Sequence, residues 1–335
     1  MANFIYLFVI PLLFSLATTA LGQDSKLIEA AKKEGGKVVV YGSLESSTVE
    51  AVTKGFQKET GLEVNYWRAS ATKVMDRALT EYRAGKPLYD VLFVHGGLAE
   101  ILGKEGITAK YQSPAARGFD KEVIDPNLGP SYRRVIIGVV YNKSGIKPEE
   151  YPKSLLDLVD PKYKGKLVMP DPTQHTTTTQ WLASLYKIMG KEKSEKFIRD
   201  LAATKPILVE SLLPSAERVS TGETPIAVTY VKYAYIFGQK GAPLDYVRGD
   251  KLLGDDHYLA LASKAPHPNG GKAYIDYFLA DESMKIIAKM GEFVNRKAVY
   301  PPLPDANKIQ YVPMDDLDKK AYAEKKKEYQ RIFLR

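Results

Sequence analysis

Residues 133–142 read RRVIIGVVYN. Two arginines open the run, and everything from Val135 to Val140 is apolar or glycine. A nearly continuous apolar stretch of this length reads as one long strand buried on both faces. It is long enough to cross from one half of a protein to another. On its N-terminal side lies YQSPAARGFDKEVIDPNLGPSY (111–132), rich in Gly, Pro and Asp, which reads as an irregular connection.

Upstream of that connection, strands and helices alternate strictly. KLIEAAKKEG (26–35) is a short helix, and KVVVYGSL (37–44) is a strand entering a loop. STVEAVTKGFQKETG (47–61) has Val49, Val52 and Phe56 at helical spacing and Gly61 as its stop. LEVNYW (62–67) is a second strand, VMDRALTEYRAG (74–85) a helix, YDVLFVHGG (89–97) a third strand and AEILGKEG (99–106) a third helix. This order predicts parallel βαβ units in an open sheet. Ligands of such sheets sit outside the carboxyl ends of the strands, so the loops at 42–47, 68–72 and 94–97 should gather at one edge.

Downstream, a second α/β set follows. LLDLVDPKYKGKLVMPDP (155–172) gives a short helix, a turn and a strand, and TQHTTTTQWLASLYKIMG (173–190) gives a loop and a helix. EKFIRDLAAT (195–204) is a helix, KPILVES (205–211) a strand and SAERVSTGE (215–223) a helix. TPIAVTYVKYAYIF (224–237), GAPLDYVRGD (241–250) and DDHYLALAS (255–263) read as strands, and residues 268–291 as two helices. The expectation is two α/β lobes joined by crossing segments, a hinged clamshell with its cleft at the strand ends.

The 335 residues suit two domains, and 44% hydrophobic content supplies a sizeable core. With no cysteine there is no disulfide, thiolate metal site or cysteine nucleophile. The first 22 residues carry no charged side chain, are broken by Pro11 and end in Ala20-Leu21-Gly22, the pattern of a cleaved signal peptide with Gln23 as the first mature residue. An uncleaved membrane anchor is the alternative. Export argues against a nucleic-acid partner despite the formal charge of +8. The lysines at 325–327 alternate with acids around Tyr322, Tyr329 and Phe333, the solvated face of a C-terminal helix.

KVVVYGSL, FQKETGLEV, DVLFV, ILGKEG, YQSPAA, GVVYNKSGI, SLLDLVDPKYKGKLVMPDP and GETPIAVTY running on to GAPLDYV together resemble the bacterial extracellular solute-binding proteins, closest to the ferric-iron-binding branch. The resemblance runs in order from about Lys37 to Ala298. It implies a type II-like periplasmic clamshell, each lobe a mixed sheet flanked by helices. It also implies delivery of solute to the permease of an ABC importer, by a monomer that is not an enzyme and needs no cofactor. The expected division is lobe 1 at 23–135 and 260–335, lobe 2 at 136–259. An enzyme on the same scaffold and a sensor feeding a membrane receptor are the alternatives.

In the ferric branch, a His after the first strand, a Glu after the third and two adjacent tyrosines hold the metal. Here Glu45 stands at the His position, His95 at the Glu position, and Lys232-Tyr233 at the tyrosine pair, with Tyr230 three residues before Tyr233. Glu45, His95, Tyr230 and Tyr233 offer donors suited to Fe3+ as cargo. Lys232 departs from the pattern, since an ammonium repels a cation and attracts an anion. TYVKYAY (229–235) is read as a strand edge entering the cleft, with Tyr230, Lys232 and Tyr233 as contacts and Tyr235 in the core. Thr176, Thr177 and Thr178 precede an apolar helical pattern, where free N–H groups make an anion site. Arg68, Ser70 and Thr72, Ser43 and Ser46, and Ser211 and Ser215 are the other candidate donors. The ligand is therefore ferric iron, with or without an anion, or a small phosphorylated or carboxylated organic anion. No HExxH, G-x-S-x-G or P-loop pattern is present, and Asp255-Asp256 and Asp315-Asp316 read as turn and cap residues.

Overall fold

A computed structural model of the chain describes residues 24–248 and 251–334. The expected signal peptide at 1–22 lies outside the described residues. The first half contains α1 (Ser25–Lys33), β1 (Lys37–Gly42), α2 (Ser46–Thr60), β2 (Glu63–Arg68), α3 (Ala71–Arg83), β3 (Val91–His95), α4 (Gly96–Lys104) and the short β4 (Thr108–Ala109). The connection that follows holds only 3-10 turns and the paired two-residue strands β5 (Ile124–Asp125) and β6 (Gly129–Pro130). The long β7 (Arg133–Asn142) comes next. Then follow β8 (Leu167–Pro170), α5 (Thr176–Ser184), α6 (Tyr186–Met189), α7 (Lys191–Ala203), β9 (Ile207–Val209), α8 (Leu212–Thr221), β10 (Ile226–Tyr230), α9 (Tyr233–Gly238) and β11 (Leu244–Tyr246). The chain closes with β12 (Lys251–Ala262), α10 (Pro268–Phe278), α11 (Asp281–Lys289), β13 (Phe293–Val294), β14 (Gln310–Pro313) and α12 (Lys319–Phe333).

Two parallel cores of the same form share one hydrogen-bonded sheet, in the order β2-β1-β3-β12-β7-β10-β8-β9. β2, β1 and β3 are mutually parallel in one lobe, and β9, β8 and β10 in the other. Each trio puts its first strand in the middle, so the loops leaving the carboxyl ends diverge there and open a crevice. β7 joins the trios. Its residues Arg133–Ile136 pair antiparallel with β12, and Ile137–Tyr141 pair antiparallel with β10. The crossing role read for RRVIIGVVYN is thus carried by one strand whose two halves serve two lobes.

Local sequence explains the helices that frame the crevice. α2 buries Val49, Val52 and Phe56 and ends where Gly61 turns left-handed at φ 71°, a conformation that costs glycine nothing. Ser70 caps α3 through its hydroxyl, and the His175 ring does the same for α5. The first-lobe core gathers Val38, Val40, Phe56, Phe93 and Phe278, and the second gathers Ile137, Val139, Trp181, Leu201 and Val228.

Three expectations need correction. TYVKYAY is not one strand: β10 ends at Tyr230, the chain turns at Lys232, and Tyr233 starts α9. Asp255 and Asp256 lie within β12, on opposite faces, and not in a turn. The C-terminal segment, assigned to the first lobe with 260–335, packs elsewhere. Leu303, Met314 and Tyr329 join the second core, and α12 rests on α5 and α7. Tyr329 enters that second core, while Tyr322, seven residues earlier, packs on Leu98 and Ile101 of α4 and donates its hydroxyl to Gln180 of α5.

Candidate binding site

Four helices begin at the crevice. From the first lobe come α2, opened by Glu45, and α3, opened by Ser70; from the second come α5, opened by His175, and α8, opened by Ser211. These four opening residues line one small cavity of about 50 Å³, together with Ser43, Arg68, Thr177, Tyr230, Tyr233 and, at the back, Arg133, Val135 and His257. Larger surface hollows exist, one of about 270 Å³ beside Tyr246 and Arg248, but no α-helix N-terminus opens onto that one. Each N-terminus brings first-turn N–H groups that lie outside the helical ladder, and a partial positive charge, to the crevice.

Beneath the cavity lies a buried charge cluster. Lys232 sits between two carboxylates: its Nζ is 2.5 Å from Glu45 Oε2 and also binds Glu292. Tyr233 donates its hydroxyl to Glu45 Oε1. Glu292, wholly buried, also accepts from Arg133 Nη1 at 2.8 Å and from the Tyr230 hydroxyl at 3.0 Å. Burial works against the Glu45 charge, but Lys232 and Arg133 beside it and the hydrogen bonds from Lys232 and Tyr233 pull its carboxyl down to about 2. Burial, with Glu45 or Glu292 nearby, pushes the Tyr233 and Tyr230 phenols well up, so both stay protonated donors. Burial opposes the Arg133 charge, yet Glu292 holds it and its pKa rises. Burial, Arg133, His95 and Lys232 all depress His257.

The candidates separate into three groups. Ser43, Glu45, Arg68, Ser70, Thr177, Ser211, Tyr230 and Tyr233 line the cavity. Lys232 lies behind it, reaching the cavity through Glu45. The remainder are structural. Ser215 is fully buried and donates to Val228 O at 2.9 Å, and Ser46 is exposed outside the cavity. Thr72 bonds Gln174 O at 3.1 Å, joining the lobes. Thr178 bonds the His175 ring at 2.8 Å, and Thr176 faces His95 at 3.3 Å. His95 itself is wholly buried; its Nδ1 stands 2.9 Å from Asp255 Oδ2, without hydrogen-bond directionality. The proposed metal set of Glu45, His95, Tyr230 and Tyr233 is therefore not assembled, because His95 turns to Asp255 and Tyr230 to Glu292.

Sequence reasoning missed Arg133, His257 and Glu292. Arg133 had a readable signal. Adjacent arginines at the head of an apolar strand must point to opposite faces, so one of them is carried inward. Glu292 and His257 gave no such pattern, since their burial depends on distant segments.

A family model described as bacterial extracellular solute-binding protein matches residues 41–285. The chain belongs to this family. It is a solute-binding protein, the capturing component of an ABC-type importer. An Fe(3+)-binding periplasmic protein of Serratia marcescens is 24% identical over 326 residues, covering 91% of each chain. Among solved structures, a periplasmic binding protein from Actinobacillus pleuropneumoniae with fructose-6-phosphate bound superposes with a TM-score of 0.74 at 19% identity, covering 89% of this chain and 97% of that one. Iron-bound HitA from Pseudomonas aeruginosa gives 0.71 at 21%, covering 89% and 98%. Both likenesses establish the two-lobe fold of this solute-binding protein. Among the described residues no helix is long and apolar enough to cross a membrane.

Proposed function

We propose that this solute-binding protein captures a small organic oxyanion, a phosphorylated or carboxylated solute, in the periplasm. The observation that carries the reading is the convergence of four helix N-termini, two from each lobe, on one cavity. Arg68, Arg133 and Lys232 outnumber Glu45 and Glu292, and Ser43, Ser70, Thr177 and Ser211 add hydroxyls. Such an anion touches both lobes only when they are closed, so its binding selects the closed form. A cavity of about 50 Å³ is smaller than an organic solute needs, so the lobes part to admit it. The protein acts as a monomer, reaches the periplasm through the cleaved segment 1–22, and hands its ligand to the permease.

Ferric iron is the second reading, supported by the Serratia relative and by the approach of Tyr233 to Glu45. Lys232 weighs against it, because its ammonium occupies the position between the carboxylates that a cation would need. Ligand-stripped protein titrated with ferric citrate, and separately melted with a panel of phosphorylated and carboxylated metabolites, decides between them. The expected result is a higher melting temperature with at least one oxyanion and no visible phenolate-to-iron band. A saturable band lost in Tyr233→Phe would overturn the oxyanion reading.

A further inference from the structure

β7 and β12 form the back of the crevice, and each sends a polar side chain to the cavity: Arg133 and His257. The two are direct partners in antiparallel register, which sets their Cβ atoms about 5 Å apart. Arg133 gives Nη1 to Glu292, while its buried Nε has no partner among the described residues. His257 is more unusual. It is only 4% exposed, and neither ring nitrogen has a hydrogen-bond partner among the described residues. Its ring is instead held by Tyr132, at 6.5 Å between centroids, and by His95, at 6.0 Å.

Buried polar groups are nearly always paired, so two open nitrogens on one buried ring at a cavity wall point to a ligand. A neutral imidazole offers one N–H donor and one bare acceptor. Burial and the facing cations Arg133 and Lys232 keep this ring neutral. An oxyanion oxygen satisfies the N–H but has no hydrogen for the bare nitrogen. An ammonium could supply one, but Arg133 and Lys232 repel it. A hydroxyl donates and accepts without charge.

We infer that the solute carries a hydroxyl beside its anionic group, and that His257 reads that hydroxyl while Arg133 Nε takes an anionic oxygen. The ligand class is thus hydroxylated phosphates or carboxylates, of the polyol phosphate, sugar phosphate and hydroxy acid kind. The inference rests on the oxyanion reading of the cleft.

Two ligand pairs that differ only in hydroxyls test it by calorimetry: glycerol 3-phosphate against n-propyl phosphate, and glycerate against propionate. In at least one pair the hydroxylated member should bind the unaltered protein tenfold or more tighter. His257→Phe should bring that ratio within about threefold. His257→Gln keeps a donor and an acceptor and should retain most of the ratio. Equal binding within both pairs overturns the inference and leaves the oxyanion reading standing. So does a ratio that survives in His257→Phe. If no member of either pair binds, the oxyanion reading falls and the inference with it.

Discussion

Lys232 Nζ lies 2.5 Å from Glu45 Oε2, and the two residues belong to different lobes. Glu45 opens α2 in the first lobe yet makes no capping hydrogen bond with its own helix. Its carboxylate crosses the crevice to Lys232 and Tyr233 instead. The pair is thus a latch between the lobes, set beneath the cavity.

Breaking the latch from either side should give unequal results. Lys232→Met leaves Glu292, wholly buried, with one cation fewer, and should cost about 3 kcal/mol in urea unfolding. Glu45→Gln keeps an oxygen near Tyr233 and should cost about 1 kcal/mol. Both variants should enlarge the radius of gyration of ligand-free protein in small-angle scattering. The double variant should cost less than the sum, because the two single variants lose the same favourable contact. An unchanged urea midpoint in Lys232→Met would sink the latch.

Acid should act on the same residue. The Glu45 carboxyl is held at about 2, below its ordinary 4.5, so its stabilisation is complete above about pH 4.5 and is lost as pH falls toward 2. His175 is moved from 6.5 to about 3, by burial first and then by His95 and Lys326. The unfolded chain binds that proton more readily, so stability also falls as pH drops from 6.5 toward 3. The melting temperature should therefore decline in two stages, and Glu45→Gln should remove part of the lower one only. A melting curve flat from pH 7 to pH 4 would contradict the His175 assignment, and no further decline on going below pH 4 would contradict the Glu45 one.

Asp316 works in the other direction. Burial and then the neighbouring Asp255 raise its carboxyl from 3.8 to about 6. Its protonated form is favoured by folding, so its contribution is present below pH 3.8 and lost as pH rises through 6. Asp316→Asn should raise the melting temperature at pH 7.5 and have little effect at pH 4. Destabilisation at pH 7.5 would mean that the charge is needed, as a partner for the start of α4 beside Gly96.

What could be read in advance follows the range of the interactions. Helices α2, α3 and α5 and strands β1, β3 and β7 announce themselves by local periodicity, but two helix starts on the cleft do not: Thr176 and Ser215, expected to precede their helices, lie inside α5 and α8. Loops at strand ends such as Ser43, Ser70 and Ser211 were legible for the same reason. TYVKYAY misled because its alternation is that of a strand, whereas Lys232 is drawn to Glu45 and Glu292, 187 and 60 residues away, and the chain turns there. The placement of α12 on the second lobe was equally invisible. An amphipathic helix states that it has a buried face and does not state which surface buries it. His95 and Ser215 are polar residues read as cleft donors, but they sit at the end of β3 and inside α8, where Asp255 and the carbonyl of Val228 claim them.

The two arginines of the cavity should separate capture from retention. Arg68 is exposed at the rim, whereas Arg133 is almost wholly buried at the back with Glu292. A rim charge steers diffusing anions and is screened by salt, so Arg68→Met should slow association and flatten its dependence on ionic strength. Dissociation should change little. Arg133 meets the ligand only after the crevice is entered, and losing it removes a desolvated donor from the bound state. Arg133→Met should accelerate dissociation by about tenfold or more, for a net loss of at least about 1.4 kcal/mol. Arg133→Lys should recover only part of this, because an ammonium cannot hold Glu292 with Nη1 and present Nε to the cavity at once. Stopped-flow kinetics with the tightest oxyanion of the panel, at low and physiological salt, separates the two. If Arg68→Met alone speeds release while Arg133→Met leaves both rates unchanged, the anion sits at the rim and the back of the crevice is structural.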